Sequence, residues 1–218
     1  MNVCPIKTWT GDRAGGSSMI LIMNAKKLAQ MIAVCRAIPI GFNYRMACKA
    51  MGKTRALASL SEQLGARTGM MGLYLRQACY RHILEHVGQD AYLGYMSQFS
   101  KTTARIGDHV YIGRFCSIGS VIIEDDVMLA DNVQLLSGSH QHGDHSTEGS
   151  LRDNVHFYQT ITIGRGAWIG ANAVVMADVG ADAIVGAGAV VTKPVAAGDR
   201  VAGVPAKSII KPTLAKAG

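Results

Sequence analysis

The chain is predicted to be mainly β: a parallel β-helix built from six-residue repeats, preceded by an α-helical region. Three observations predict it. From Ile106 an aliphatic residue opens one short unit after another, often with Gly next and a small or β-branched residue at the fifth place. Hydrophobic residues make up 49% but aromatics only 6%, with 25 Gly against 5 Pro, which suits stacked repeats better than a core built on rings. Charge also divides the chain: residues 1–105 hold fourteen Lys/Arg and four Asp/Glu, a net +10, while residues 106–218 hold eight and eleven, a net −3.

Residues 1–18 read as a loose, flexible lead-in. Met19–Ala37 is apolar, with Asn24, Lys26, Lys27 and Gln30 clustered toward one face, and reads as a helix. Thr54–Leu64 is the next candidate, then Thr68–His86, where Leu73, Leu75, Ala78, Cys79, His82 and Ile83 recur at three- and four-residue steps. Gly88 is its expected stop. These elements give a helical, basic N-terminal region over 1–100. Its charge suits either solvated helix faces or contact with an anionic membrane surface.

The repeats read "IGDHVY", "IGRFCS", "IGSVI", "IEDDVM", "LADNVQ" and "LLSGSH"; after a loop come "FYQTIT", "IGRGAW", "IGANAV", "VMAD", "VGADAI", "VGAGAV" and "VTKPVA". A period of six marks a β-helix whose triangular coils each use three short strands. The first and fifth residues of a unit point inward, and Gly at the second place is expected to permit the turn at each corner. Coils then cover one another's unpaired edges. The units at Ile118 and Val175 are short, at five and four residues.

The five cysteines, Cys4, Cys35, Cys48, Cys79 and Cys116, are odd in number and lack a CxxC, which argues against a disulfide framework and fits a reducing compartment. "SMILIMNAKK" has too short an apolar run for a secretory signal, and no run reaches spanning length. A cytoplasmic protein, with peripheral membrane contact through its basic helices, is the expectation, and no nucleic-acid motif accompanies the positive charge.

Three of seven histidines fall in "LLSGSHQHGDH", at His140, His142 and His145. "ITIGRGAWIGANAVV", "VGAGAVVTKPV" and "VAGVPAKSII", with His140 in "SGSH", resemble the hexapeptide-repeat acyltransferases over about residues 70–211. Within them, "GLYLRQACYRHIL" and "LLSGSHQHG" look most like the O-acetyltransferases of bacterial exopolysaccharide and capsule synthesis. The resemblance implies a left-handed β-helix over 101–218, with a protruding loop 141–160 and a C-terminal tail. It also implies a homotrimer and acetyl-CoA as co-substrate, with no metal. The acceptor it implies is a sugar hydroxyl of a polysaccharide or of its lipid- or nucleotide-linked precursor, approached from the cytoplasmic side of the inner membrane.

Carried over position by position, His140 matches the general base. Ala171 and Ala187 match places where backbone meets the pantetheine arm. Thr192 and Lys193 match a pair near the CoA phosphates, and Lys207 matches a basic contact to the nucleotide end. Imidazole titrates near neutral pH and can take a hydroxyl proton as the oxygen attacks a thioester. His142 is a candidate acceptor contact, with a solvated loop position as its plainer reading. Trp168 either walls the channel or caps the prism. "VMAD" is two residues shorter than the commoner unit, so one corner near the channel should differ.

Other readings use the same prism. Serine or a free sugar is the alternative acceptor, although "IGRFCSIGSVIIEDD" is compact and lacks the Asn-bearing insertion of free-sugar enzymes. A γ-class carbonic anhydrase needs three convergent histidines; His140 and His145 are five apart, but upstream only His109 stands on a coil. A non-enzymatic trimeric scaffold would have no use for the CoA-type tail.

Overall fold

The computed structural model describes residues 16–137 and 159–209, with side chains from residue 25 onward. Three helices lead: α1 (Gly16–Met51), α2 (Lys53–Gly65) and α3 (Gly69–Ile83). The helix expected to end at Ala37 runs on through Pro39 to Met51, and the candidate over Thr68–His86 stops at Ile83. Within α3, Leu73, Ala78 and Cys79 are buried as expected, but His82 is exposed; Arg76 and Tyr80 are buried in its stead.

The strands begin at His86, before the repeat pattern becomes regular. The first coil is β1 (His86–Val87), β2 (Tyr92–Leu93) and β3 (Gln98–Phe99). The second is β4 (Arg105–Ile106), β5 (Tyr111–Ile112) and β6 (Ser117–Ile118), and the third β7 (Val121–Ile123), β8 (Met128–Leu129) and β9 (Gln134–Leu135). The fourth is β10 (Ile161–Ile163), β11 (Trp168–Ile169) and β12 (Val174–Val175). Val179, β13 (Ile184–Val185) and β14 (Val190–Val191) make the fifth; Val195 and β15 (Arg200–Ala202) start a sixth. β16 (Lys207–Ser208) folds back antiparallel on β15.

The coils stack into three parallel sheets, one per face of the prism. The first face is β1-β4-β7-β10, extended by bridges through Val179 and Val195; the second ends in β15 and β16; the third is β3-β6-β9-β12-β14. The first and fifth residues of each unit fill the axis: Ile106 and Val110, Ile112 and Cys116, Ile163 and Ala167, Ile169 and Ala173 are all essentially inaccessible. In the fourth and fifth coils the fifth residue is Ala (Ala167, Ala173, Ala183, Ala189), where the second and third coils use Val or Cys (Val110, Cys116, Val127, Val133).

The glycines work differently from the expectation. The left-handed turn belongs to the fourth residue of each unit, where Asp126, Asn132, Asn172, Asp182, Gly166 and Gly188 have φ between 55° and 69°. Asp and Asn tolerate that region better than other side chains, so most corners need no glycine. The second-place glycines are required by the next coil. A Cβ on Gly164 would sit 2.4 Å from the Ala181 backbone nitrogen, and one on Gly170 would sit 2.5 Å from that of Ala187.

The open end of the first coil is covered by α2 and α3. Tyr80 and Phe99 meet edge to face at 4.7 Å. Ser61 Oγ shares a 2.7 Å hydrogen bond with the Tyr80 hydroxyl and accepts one from Phe99 N–H at 2.9 Å. Burial pushes the Tyr80 phenol up to about 12. Arg76 is only 3% exposed, and its hydrogen-bond partners are carbonyls rather than carboxylates. Its guanidinium donates to carbonyls of Leu93 (2.9 Å), Leu64 (3.3 Å) and Arg67 (2.6 Å), tying α3 to β2 and to the carbonyl-rich C-terminal end of α2. Desolvation lowers its pKa from the usual arginine value.

Two outcomes follow for urea denaturation. Gly164→Ala loses about 3 kcal/mol or more because backbone must move, whereas Gly188→Ala, with φ of 68° and nothing near its Cβ, loses only about 1–2 kcal/mol. The reverse order would refute close stacking as the reason for second-place glycine. Arg76→Ala strands the Leu93 and Arg67 carbonyls, while Leu64 keeps the Arg67 N–H, and loses about 3 kcal/mol; a loss under about 1 kcal/mol would remove this joint from the account.

Candidate active site

Along the second face, the residue just before each inward aliphatic points outward. Register places Tyr92, Tyr111, Met128, Trp168, Ile184 and Arg200 in one column. Tyr92 and Tyr111 stack with centroids 4.8 Å apart and planes 9° from parallel. Between Tyr111, Met128 and Trp168 lies an open cleft of about 430 Å³, floored by Leu129 and Ala130 and edged by Asp131 and Ala171. Trp168 therefore walls a cleft on this flank and does not cap the prism.

One rim of the cleft is charged. Arg114 Nε and Nη2 donate to Asp131 Oδ2 at 3.0 and 2.6 Å, and Arg114 N–H donates to Asp131 Oδ1 at 2.8 Å. The Arg114 side-chain and backbone bonds hold the Asp131 carboxyl below its ordinary range. Asp131 therefore stays an anion that fixes the corner; it is not a proton donor near neutral pH. Beyond it, Asn132 Nδ2 donates to Asn172 Oδ1 at 2.7 Å, linking the third and fourth coils at the same edge.

Ala171 lines the cleft, and Gly188 N–H donates to its carbonyl at 2.8 Å, so Ala171 and Ala187 follow one another up the edge between the second and third faces. Lys207, exposed on β16 opposite Ala202, continues that edge. Its hairpin is held by Ser208 Oγ donating to Asp199 Oδ1 at 2.7 Å and by Ala206 N–H donating to the Val190 carbonyl at 2.8 Å. Thr192 and Lys193 are exposed but lie past β14, where the chain turns from the third face back to the first. One protomer thus sets Ala171, Ala187 and Lys207 on one edge and Thr192 with Lys193 on another.

His140 and His142 lie outside the described residues, as do His145 and most of the expected loop. What is described is the place where that segment leaves and rejoins. Ser137, two residues beyond β9, is buried, and its Oγ accepts from Ser120 N–H at 2.7 Å. Gln159 N–H donates to the Ser137 carbonyl at 3.2 Å, and Ser120 Oγ meets Thr160 Oγ1 and Thr103 Oγ1, both at 2.9 Å. This hydroxyl cluster stands at the third-to-first corner, the edge that also carries Thr192 and Lys193 two coils later.

Among the described residues no three His, Cys, Asp or Glu side chains converge on a point. Upstream, His86 stands on β1 of the first coil, and His109 sits at a corner with Nδ1 3.6 Å from Asp126 Oδ1.

The sequence reading missed Tyr111, Met128 and Asp131. Their signal is present: Tyr-Ile, Met-Leu and Trp-Ile fall at the same place in successive units, a column of large outward residues beside the inward aliphatic. It becomes visible only once the coils are aligned across the five-residue unit and the loop.

Residues 160–193 match the family described as bacterial transferase hexapeptide (six repeats), and residues 103–137 match the hexapeptide repeat of succinyl-transferase. No curated protein matches the chain. Among solved structures, a galactoside acetyltransferase in complex with coenzyme A is 27% identical, with a TM-score of 0.62 over 75% of this chain and 83% of its own. A hexapeptide-repeat-containing acetyltransferase from Vibrio cholerae O1 biovar eltor, complexed with acetyl coenzyme A, is 25% identical at a TM-score of 0.55, over 74% and 90%. A maltose O-acetyltransferase from Clostridium difficile 630 shares the fold at 24% identity and a TM-score of 0.63, over 73% and 86%. The chain is therefore built on the hexapeptide-repeat acyltransferase fold, with a match to the hexapeptide repeat of succinyl-transferase before the segment that carries His140 and one to bacterial transferase hexapeptide after it.

Proposed function

We propose that the protein is an acetyl-CoA-dependent O-acetyltransferase acting on a sugar hydroxyl, with His140 as general base. The observation that carries this reading is the cleft beside Ala171, on a prism similar to an acetyltransferase that holds coenzyme A. Small residues at Ala171 and Ala187 leave room for a pantetheine arm to lie against backbone. Lys193 and Lys207 suit phosphates as point charges.

The reaction needs little more. The hydroxyl oxygen attacks the thioester carbonyl while His140 takes its proton. The tetrahedral intermediate collapses, the C–S bond breaks, and the proton passes to the departing thiolate of CoA. Such a base contributes about 10²–10⁴-fold, and holding the two reactants together contributes much of the rest. No covalent enzyme intermediate and no metal enter.

The proposal includes a homotrimer, and the two edges support it. At about 3.6 Å per residue at most, three residues keep His140 within about 11 Å of Ser137, on the edge of Thr192 and Lys193. The cleft edge with Ala171 and Lys207 lies across the third face. A crevice between neighbouring prisms takes one edge from each, so His140 of one protomer serves the cleft of the next. His142 is proposed as an acceptor contact for that same site.

For the acceptor, the likeness to a galactoside acetyltransferase favours a small saccharide. A polysaccharide or its lipid- or nucleotide-linked precursor is the second reading, favoured by the tight passage from Ile118 to Ile123, where an Asn-bearing insertion would stand. Its setting would be the cytoplasmic face of the inner membrane, with the basic helices in peripheral contact.

Acetyl transfer measured over free galactosides, maltose and glycan fragments, corrected for thioester hydrolysis, separates the two. Turnover on the free sugars is the expected result. His140→Ala should lower kcat by about 10² or more while acetyl-CoA still binds by calorimetry, and a loss under about tenfold would exclude His140 as the base. Ala171→Trp should abolish cofactor binding. Co-expressed His140→Ala and Ala171→Trp chains, each inactive alone, should regain activity in mixed trimers; no recovery would refute a shared site.

A further inference from the structure

α1 is apolar on two opposite faces. One is accounted for: Ala33 and Ala37 are buried, and Ile40 and Tyr44 pack on the core as the helix lies against α3 and α2. The other faces away from the protein. Leu28, Met31, Ile38, Phe42 and Met46, with Cys35 between them, recur at three- and four-residue steps, and those five large side chains are 51–68% exposed. At 1.5 Å per residue the stripe runs about 27 Å. Isolated exposed apolar residues need no explanation, but a continuous stripe of this length does.

Charge indicates what covers it. α1 carries Lys26, Lys27, Arg36, Arg45 and Lys49 and not one acidic residue. Lys26 turns back to Asp90 of the first coil at 3.9 Å. On a 100° helical wheel Lys27 and Arg45 border the stripe, and Lys49 falls within it. Two copies packed along this stripe would press those cations together with nothing to neutralise them. An anionic surface would gain from every one. No helix among the described residues is long and apolar enough to cross a membrane.

We infer that the outer face of α1 lies in the headgroup layer of an anionic bilayer, with Leu28, Met31, Ile38, Phe42 and Met46 reaching the acyl boundary and Lys27, Arg45 and Lys49 among lipid phosphates. The arrangement is that of an interfacial helix, whose apolar side sinks about 5–10 Å while its cations stay at the phosphates. Here the opposite face is given over to the protein's own core, so the helix serves as a rigid foot beneath the first coil. This inference stands whether or not the acetyltransfer reading does, because its readout is lipid binding.

The test is flotation of the full chain with phosphatidylcholine vesicles, with and without phosphatidylglycerol. Binding is expected only with phosphatidylglycerol, and should weaken as salt rises. Ile38→Ser/Phe42→Ser should lower partitioning by more than about tenfold. Arg45→Glu/Lys49→Glu should lower it at least about twentyfold. Both double variants replace exposed side chains and should keep the wild-type melting temperature, while His140→Ala should float like wild type. No binding to anionic vesicles would overturn the inference, as would binding that neither double variant weakens. Sedimentation of Ile38→Ser/Phe42→Ser as a smaller species than wild type would also overturn it, by assigning the stripe to contact between copies of the chain.

Discussion

The distance at which one coil lies on the next governs most of this molecule. Parallel strands two or three residues long have little strength singly, so coils must approach closely enough for every strand to bond on both sides. That closeness excludes a Cβ at the second place of many units, as Gly164 and Gly170 show. It also fixes register: once coils stack with aliphatics inward, the outward neighbours must align as well. Tyr111, Met128 and Trp168 form one wall because Ile112, Leu129 and Ile169 form one row of the axis. The candidate site is thus an outer consequence of inner stacking.

A stacked solenoid has two ends whose strands lack a neighbour, and this chain covers them differently. At the C-terminal end, among the described residues, β16 folds back antiparallel on β15, and the same hairpin displays Lys207. At the N-terminal end α2 and α3 lie over the first coil, joined through Tyr80, Ser61 and above all Arg76. A buried guanidinium bonded only to carbonyls is costly to desolvate. Three acceptors at fixed positions compensate, two of them at the C-terminal end of α2 where carbonyl dipoles favour a cation. The helices are therefore part of the same core as the coils. That continuity allows α1 to present its second face at a fixed angle to the prism.

The division of cofactor-type residues between two edges bears on how the reaction is organised. Ala171, Ala187 and Lys207 share one corner line; Ser137, which leads to His140, shares another with Thr192 and Lys193. Within a single prism these lines are separated by the width of the third face. In the proposed reaction the base of one protomer serves a thioester held on the next, which makes assembly part of the proposed chemistry.

The sequence by itself determined the solenoid, because an aliphatic every six residues with a small fifth residue has no comparably good use in a helix or a flat sheet. It also determined α2, whose boundaries follow from local spacing; Ala171 and Ala187 were offered only by the family resemblance. It did not reveal the full length of α1, whose two apolar faces cancel any one-sided pattern, nor the start of the coils at His86, where Gln98–Phe99 to Arg105–Ile106 is longer than a repeat. The reason for second-place glycine, the burial of Arg76 and the Tyr111–Met128–Trp168 cleft were decided only by tertiary structure. Each depends on which residue of another coil or helix arrives opposite, and contacts between residues seventeen or forty positions apart are not written in any short stretch of chain.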